Sequence, residues 1–270
     1  MARRIMRLCG TDPFAAVLLL ALAPRCFGQA QTELRPPPPL SPAEGERQGR
    51  ALVSHLLEQA PEQTSTNAGV LRIRDPQGNQ RSVPVQFEIV PTATNWLNIY
   101  HASAAAGNGP GTLTIIHRKN ESNQYWLQKP SGQDHTPTTT QPLEPNAIMV
   151  PFAGSDFWVA DLGLEFLHWP QQRVLKKQMR KGLSCDVLQS VNAKAAPGGY
   201  SRVLSWIAIN RPEDIVIVHA EAYDLNDKLL KEFDPKKVEK VNGTWQLEEM
   251  EIRNRQTGSR TKIEFNLNSD

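Results

Sequence analysis

A mainly β fold (α+β), a curved antiparallel sheet with helices packed on its apolar face, is predicted by three observations. From residue 173 to residue 267, short β-rich runs follow one another with no helix-length spacer between them. Parallel strands need a crossover of a dozen residues or more, so these runs pair antiparallel. Two helix-like segments stand apart from the runs, one over residues 42–60 and an aromatic one opening at Gly154. A meander of this length either curls into a barrel or leaves a groove, and a helix with one apolar stripe can cover it.

Residues 1–30 read as an export signal. Arg3, Arg4 and Arg7 precede an apolar run over residues 14–23, and Gly28-Gln29-Ala30 has the small-residue form of a cleavage site. The run is too short to span a bilayer. Pro24 and Arg25 stand before Cys26 where a lipidated terminus would carry small residues. Arg3-Arg4 leaves a twin-arginine route open. Setting residues 1–30 aside removes four basic residues and one acidic one, leaving 26 basic and 27 acidic residues and a net charge of −1. The pI of 8.4 thus belongs largely to the signal. A near-neutral remainder offers no electrostatic footprint for nucleic acid.

Cys9 and Cys26 fall in the same stretch, so Cys185 stands alone and no internal disulfide is expected. Within Leu183-Ser184-Cys185-Asp186-Val187-Leu188 it reads as a small hydrophobe in a strand, buried and unreactive.

Residues 31–40, with prolines at 36–39, read as an extended tether, and residues 41–270 as a single domain. Ser41-Pro42-Ala43-Glu44 supplies an N-cap hydroxyl, a proline at the first helical position and a glutamate that reaches back. Leu52, Val53, Leu56, Leu57 and Ala60 recur at helical spacing until Pro61 stops the run, which predicts a helix packed on a sheet. Residues 70–74, 82–90, 96–101, 112–118 and 124–128 follow as strands, the first two joined by Asp75-Pro76-Gln77-Gly78. Pro84 marks the second as an edge strand. Residues 102–111 form a small-residue loop, and residues 133–145, rich in Thr and Pro, a longer excursion.

After Gly154, Ser155 or Asp156 can cap a helix whose apolar residues begin at once. Strands return over residues 173–179, 185–191, 201–209, 215–223, 228–233, 237–241, 245–253 and 260–267, with a turn at Leu225-Asn226-Asp227. In residues 215–223, strict alternation places Val216, Val218, Ala220 and Ala222 on one face and Ile215, Ile217, His219, Glu221 and Tyr223 on the other. Both faces are partly apolar. That suits a sheet meeting a core on one side and helices or a cavity on the other, or an ordinary filled barrel.

The sequence holds no glycine-rich phosphate loop, zinc-protease helix pattern or nucleophile-elbow serine. Its six histidines are scattered without metal-ligand spacing. His219 and Glu221 share a strand face, which reads as a structural polar pair. Glu248 and Glu249 are adjacent in a strand and point to opposite faces. No cofactor is expected and an enzyme is disfavoured. Phe157, Trp158, Leu162, Phe166 and Leu167 instead crowd one short segment interrupted by Gly163, either as plain core or as a lid over a cavity that Trp158 borders.

Phe157-Trp158-Val159-Ala160-Asp161-Leu162, followed by Lys181-Gly182-Leu183-Ser184-Cys185-Asp186-Val187-Leu188, resembles exported outer-membrane lipoprotein-sorting proteins of the LolA-like superfamily. Trp206-Ile207, the stretch from Glu221-Ala222-Tyr223-Asp224 through Lys228-Leu229-Leu230-Lys231, and Gly243-Thr244-Trp245 with Met250-Glu251-Ile252 extend the likeness across residues 150–268. Leu247 stands where many relatives carry proline. The resemblance implies an unclosed antiparallel barrel with helices on its concave face and acyl chains in a hydrophobic cavity. Trp206 and Tyr223 then join the aromatic segment as candidate ligand contacts, and Arg72 and Arg74 are equally eligible as a lid-locking arginine. The implied role is a periplasmic lipid or lipoprotein carrier in outer-membrane lipoprotein sorting. Its partners would be lipoprotein acyl chains or phospholipid and envelope membrane proteins, with no nucleic acid. The alternative is a non-catalytic envelope sensor or protein-binding module on the same fold.

Overall fold

The computed structural model describes residues 40–103, 111–119, 121–128, 130–131, 136–137, 142–211, 214–241 and 244–267. The predicted signal, nearly all of the tether, the loop at 104–110 and most of the excursion at 133–145 lie outside the described residues. Helix α1 (Pro42–Leu57) comes first, and β1 (Ser65–Arg74), β2 (Gln80–Pro91), β3 (Asn95–Ala102), β4 (Gly111–Arg118) and β5 (Gln124–Gln128) follow. β6 (Pro130–Ser131) and β7 (Thr136–Pro137) form a separate small ladder. A crossing segment then holds 3₁₀ turns at Pro145–Ala147 and Glu165–His168 on either side of α2 (Val159–Leu162). The second meander is β8 (Gln171–Arg180), β9 (Leu183–Val191), β10 (Arg202–Arg211) and β11 (Asp214–Tyr223). It ends with β12 (Leu229–Val241), β13 (Thr244–Asn254) and β14 (Arg260–Asn266).

Twelve strands form one antiparallel sheet in the order β5-β4-β3-β2-β1-β14-β13-β12-β11-β10-β9-β8. β1 pairs with β14, so the two meanders join in the middle and the sheet ends at β5 and β8. It is not a closed barrel. The mainly β, unclosed antiparallel sheet implied by the resemblance is what the chain forms, with α1 and the crossing segment packed on its inner face. Alternation builds that face: Leu71 pairs with Val83 on one side and Ile263 on the other, and all three are buried. No helix among the described residues is long and apolar enough to cross a membrane.

Ser41 caps α1 as expected, its hydroxyl accepting the Glu44 amide at 3.3 Å. The helix lies against edge strand β8 at very short range. A Cβ at Gly45 would fall 2.5 Å from the Val174 carbonyl oxygen, and one at Gly49 2.6 Å from the Gln172 carbonyl. Glycine at these two turns seats the helix on an edge whose backbone would otherwise be open to other chains. Leu52 and Val53 then reach the core.

Three expectations are corrected. β2 is an interior strand, paired with both β1 and β3. Pro84 is tolerated because β3 stops beside it: Ala102 pairs with Val85, and the Ser103 amide donates to the Pro84 carbonyl, so the missing donor faces the end of the neighbour. The runs at 228–233 and 237–241 are one strand, β12, which continues through Pro235 by way of register shifts. Strict alternation also fails in β11. Trp206 pairs with His219 but Ile207 with Ile217, so Val218 is an extra residue. Beyond this bulge the faces exchange. Ile215 and Ile217 share the main core with Ala220 and Ala222, while Val216 and Val218 join Trp206, Cys185, Val187 and Ala208 on the outer face.

Candidate functional site

The segment between β5 and β8 runs across the inner face as a compact plug rather than as one helix. Ala153 and Gly154 adopt positive φ and reverse the chain, after which the Phe152 amide donates to the Phe157 carbonyl and the Val159 amide to Val150. The expected cap is displaced. Ser155 is spent inside the turn, donating to the Phe152 carbonyl and accepting the Phe157 amide. The Asp156 carboxylate accepts the hydroxyls of Ser259 and Thr261 on the sheet side. Asp161 does the capping instead, accepting the Trp158 amide at 2.7 Å. Gly163, packed on the Tyr125 ring, and Leu164 at φ 49° then break the helix after a single turn.

One buried lysine anchors this plug. Lys231 on β12 has no solvent exposure. Its ammonium donates to the Asp156 carbonyl at 2.7 Å, lies 3.4 Å from the Asp161 carboxylate and sits 3.5 Å above the centre of the Trp158 ring. Trp158 stacks on Tyr200 with centroids 4.6 Å apart, and the Tyr200 hydroxyl donates to the other oxygen of Asp161 at 2.9 Å. Burial pulls Lys231 down to about 8 against the opposing pull of Asp161. Burial likewise pushes the Asp161 carboxyl up, with Lys231 opposing. A charge pair at this depth survives because each partner also has hydrogen bonds, and the cation has an aromatic face.

Further polar contacts hold the two ends of the plug. Arg81 on β2 donates to the Gly154 and Ala153 carbonyls. Asn123 donates to the Gly163 carbonyl at 2.8 Å, and the Tyr125 hydroxyl donates to Glu165 at 2.8 Å. Burial lifts Glu165 to about 7, and the Tyr125 hydroxyl holds it back in part. Gln172 on β8 donates to the carbonyls of Phe166 and Trp169, both at 2.9 Å.

The seven residues expected to meet a ligand fall on two faces. Phe157, Phe166 and Leu167 are buried in the main core, with Trp158 and Leu162 packed against it. Trp206 belongs to the outer-face cluster and touches His219 edge-on at 5.1 Å. Tyr223 also lies outside, under the Arg202 guanidinium at 3.6 Å, and donates to Glu221. Cys185 is buried, as expected, within the outer-face cluster. Neither Arg72 nor Arg74 touches the plug: Arg72 pairs with Glu264 at 2.8 Å, and Arg74 lines a cleft with Arg260. Sequence reasoning missed Arg81, Tyr200 and the Lys231–Asp161 pair. A lone acid within Val159-Ala160-Asp161-Leu162 and a lysine sharing a strand face with Phe233 were the available signals.

A family model described as "Uncharacterized protein" matches residues 97–268. The chain belongs to this family. In fold, this family member resembles three solved structures at low identity. An outer membrane lipoprotein-sorting protein domain from Vibrio parahaemolyticus superposes with TM-score 0.67 at 15% identity, over 82% of this chain and 92% of that one. A DUF1329 family protein from Desulfovibrio piger gives 0.65 at 16% identity, over 82% and 91%. A LolA superfamily protein from Nitrosomonas europaea gives 0.57 at 14% identity, over 81% and 91%. No curated protein is a significant sequence match. The family member therefore has the LolA-like fold that its aromatic segment and C-terminal strands suggested.

Proposed function

We propose that the protein is a periplasmic carrier that shelters acyl chains of lipids or lipoproteins on the inner face of its open sheet. One observation carries this reading. The inner face is covered by a crossing segment, residues 148–169, which packs its apolar side chains on the sheet and hydrogen-bonds to it through side chains rather than through a backbone ladder. An acyl chain in water costs about 0.8 kcal/mol per methylene, or roughly 10 kcal/mol for a long one. Exchanging the aromatic residues of the plug for such a chain replaces one apolar filling by another, so capture and release stay close in free energy. Phe157, Trp158, Leu162, Phe166 and Leu167 would yield or share that space. Trp206 and Tyr223, on the other face, suit a docking partner in the envelope better than a buried chain. The protein holds cargo in this reading and converts nothing. Residues 1–30 serve as the export signal, residues 31–40 as a tether, and residues 41–270 as the carrier domain.

Native mass spectrometry of protein taken from the cell envelope tests the proposal, since a carrier retains acyl-containing cargo. Titration with a long-chain fatty acid should also shift the emission of Trp158, which contacts both Lys231 and Tyr200, and Trp158→Phe should abolish that shift. A folded protein that retains no cargo and binds no acyl chain rejects the carrier. The sensor or protein-binding module would then be the better reading.

A further inference from the structure

Three arginines stand in one cross-strand row at the end of β1, β14 and β13. Arg260 is the register partner of Arg74 on one side and of Arg253 on the other. Three guanidinium groups therefore leave adjacent strands on the same face. Arg255, in the turn after β13, joins them around a cleft of about 390 Å³ whose wall also includes Asp75 and Ser259. Like charges placed directly opposite one another across a ladder repel, so folding alone gains nothing from this row.

Among the described residues, nearby carboxylates compensate two of the four arginines around the cleft and leave the other two without a partner. Glu251 pairs with Arg253, and Glu232 pairs with Arg255. Asp75 is committed to its own turn, accepting the Asn79 backbone and side-chain amides at 2.8 Å each, and those bonds hold its carboxyl low. Among the described residues, neither the Arg74 nor the Arg260 side chain has an ion-pair partner. Two unpaired guanidiniums on neighbouring strands offer more donors than one carboxylate can accept. A tetrahedral phosphate, with three or four acceptor oxygens, matches both forks at once.

We infer that this cleft binds a phosphate group, carried either on a lipid headgroup or as the free anion. The inference stands apart from the carrier reading, because it concerns the outer end of the sheet and no acyl chain. The cleft is nonetheless close to the anchor of the plug. Ser259 on its wall donates to the Asp156 carboxylate, and the Asp156 carbonyl accepts Lys231.

The test compares wild-type protein, the double variant Arg74→Gln/Arg260→Gln and the control Arg118→Gln on β4. Each is titrated calorimetrically with inorganic phosphate at low salt, and each is mixed in flotation assays with phosphatidylcholine vesicles with and without phosphatidylglycerol. Wild-type and control should bind alike, and the double variant at least about tenfold more weakly, the effect of losing one or more charge-assisted hydrogen bonds. The double variant should melt no lower than wild type, since two facing charges are gone. Binding to phosphate alone assigns the free anion, and binding to phosphatidylglycerol vesicles assigns the headgroup. No binding to either probe, equal binding by the double variant, or equal loss in the control overturns the inference.

Discussion

At the scale of single residues, Lys231 is the position on which the plug most depends. Its charge is compensated by one carboxylate, one carbonyl and one aromatic face, all three supplied by residues 156–161. Removing the lysine would leave Asp161 buried beside only the Trp158 amide and the Tyr200 hydroxyl. Lys231→Met should therefore cost roughly 3–5 kcal/mol in urea unfolding, as expected for an uncompensated buried charge. Lys231→Met with Asp161→Asn should recover most of that loss, because the neutral amide needs no counter-ion. Equal destabilisation by the single and double variants would show that the pair does not act as a pair. Both residues stood in stretches whose likeness to a known superfamily was visible in the sequence. Their contact was not, since 70 residues separate them and spacing does not encode who meets whom across a sheet.

Secondary-structure elements were legible in proportion to how local their causes are. The Ser41 cap and Pro42 start of α1 depend on four consecutive residues and appear as read. The β-rich runs likewise became strands, usually a residue or two longer than their apolar cores. What failed depended on neighbours: Pro84 is admitted by where β3 ends, and the faces of β11 are exchanged by a bulge against β10. The seat of α1 is of the same kind, because only the approach of β8 reveals why Gly45 and Gly49 are glycine. In an isolated helix, Gly49→Ala would stabilise by up to about 1 kcal/mol. Here the new methyl would lie 2.6 Å from the Gln172 carbonyl, and the helix must lift to admit it. The variant should lose about 1 kcal/mol or more net, since overpacking typically costs ~1–3 kcal/mol. Arg50→Ala, on the exposed side, should stay within about 0.5 kcal/mol of wild type. Stabilisation by Gly49→Ala in chemical denaturation would mean that α1 is not seated on β8 in solution.

Across the whole molecule, the chain path explains why a sheet this long stays open. It starts at the middle in β1, runs outward to β5, crosses the inner face, and returns from β8 to the middle at β14. At one end of the sheet α1 lies along β8, and the crossing segment passes over the inner face from β5 to β8. Periodicity announced an antiparallel meander, but neither the β1–β14 junction nor the edges at β5 and β8 leave a mark in local spacing. The path also assigns the parts that can move. The strands share a continuous hydrogen-bond ladder, whereas residues 148–169 are joined to it by apolar packing and by side-chain hydrogen bonds to Arg81, Asn123, Tyr125, Gln172, Tyr200, Lys231, Ser259 and Thr261. Displacing the segment breaks those contacts and leaves the ladder intact, so its amides should exchange by local opening rather than by global unfolding. Hydrogen exchange with and without a saturating long-chain fatty acid measures this directly. Amides at 157–169 should lose protection when ligand enters, while those of β1, β14 and β13 keep theirs. Binding that leaves 157–169 protected and instead alters exchange around Trp206 would place the ligand on the outer face and rule out the plug as the element that yields.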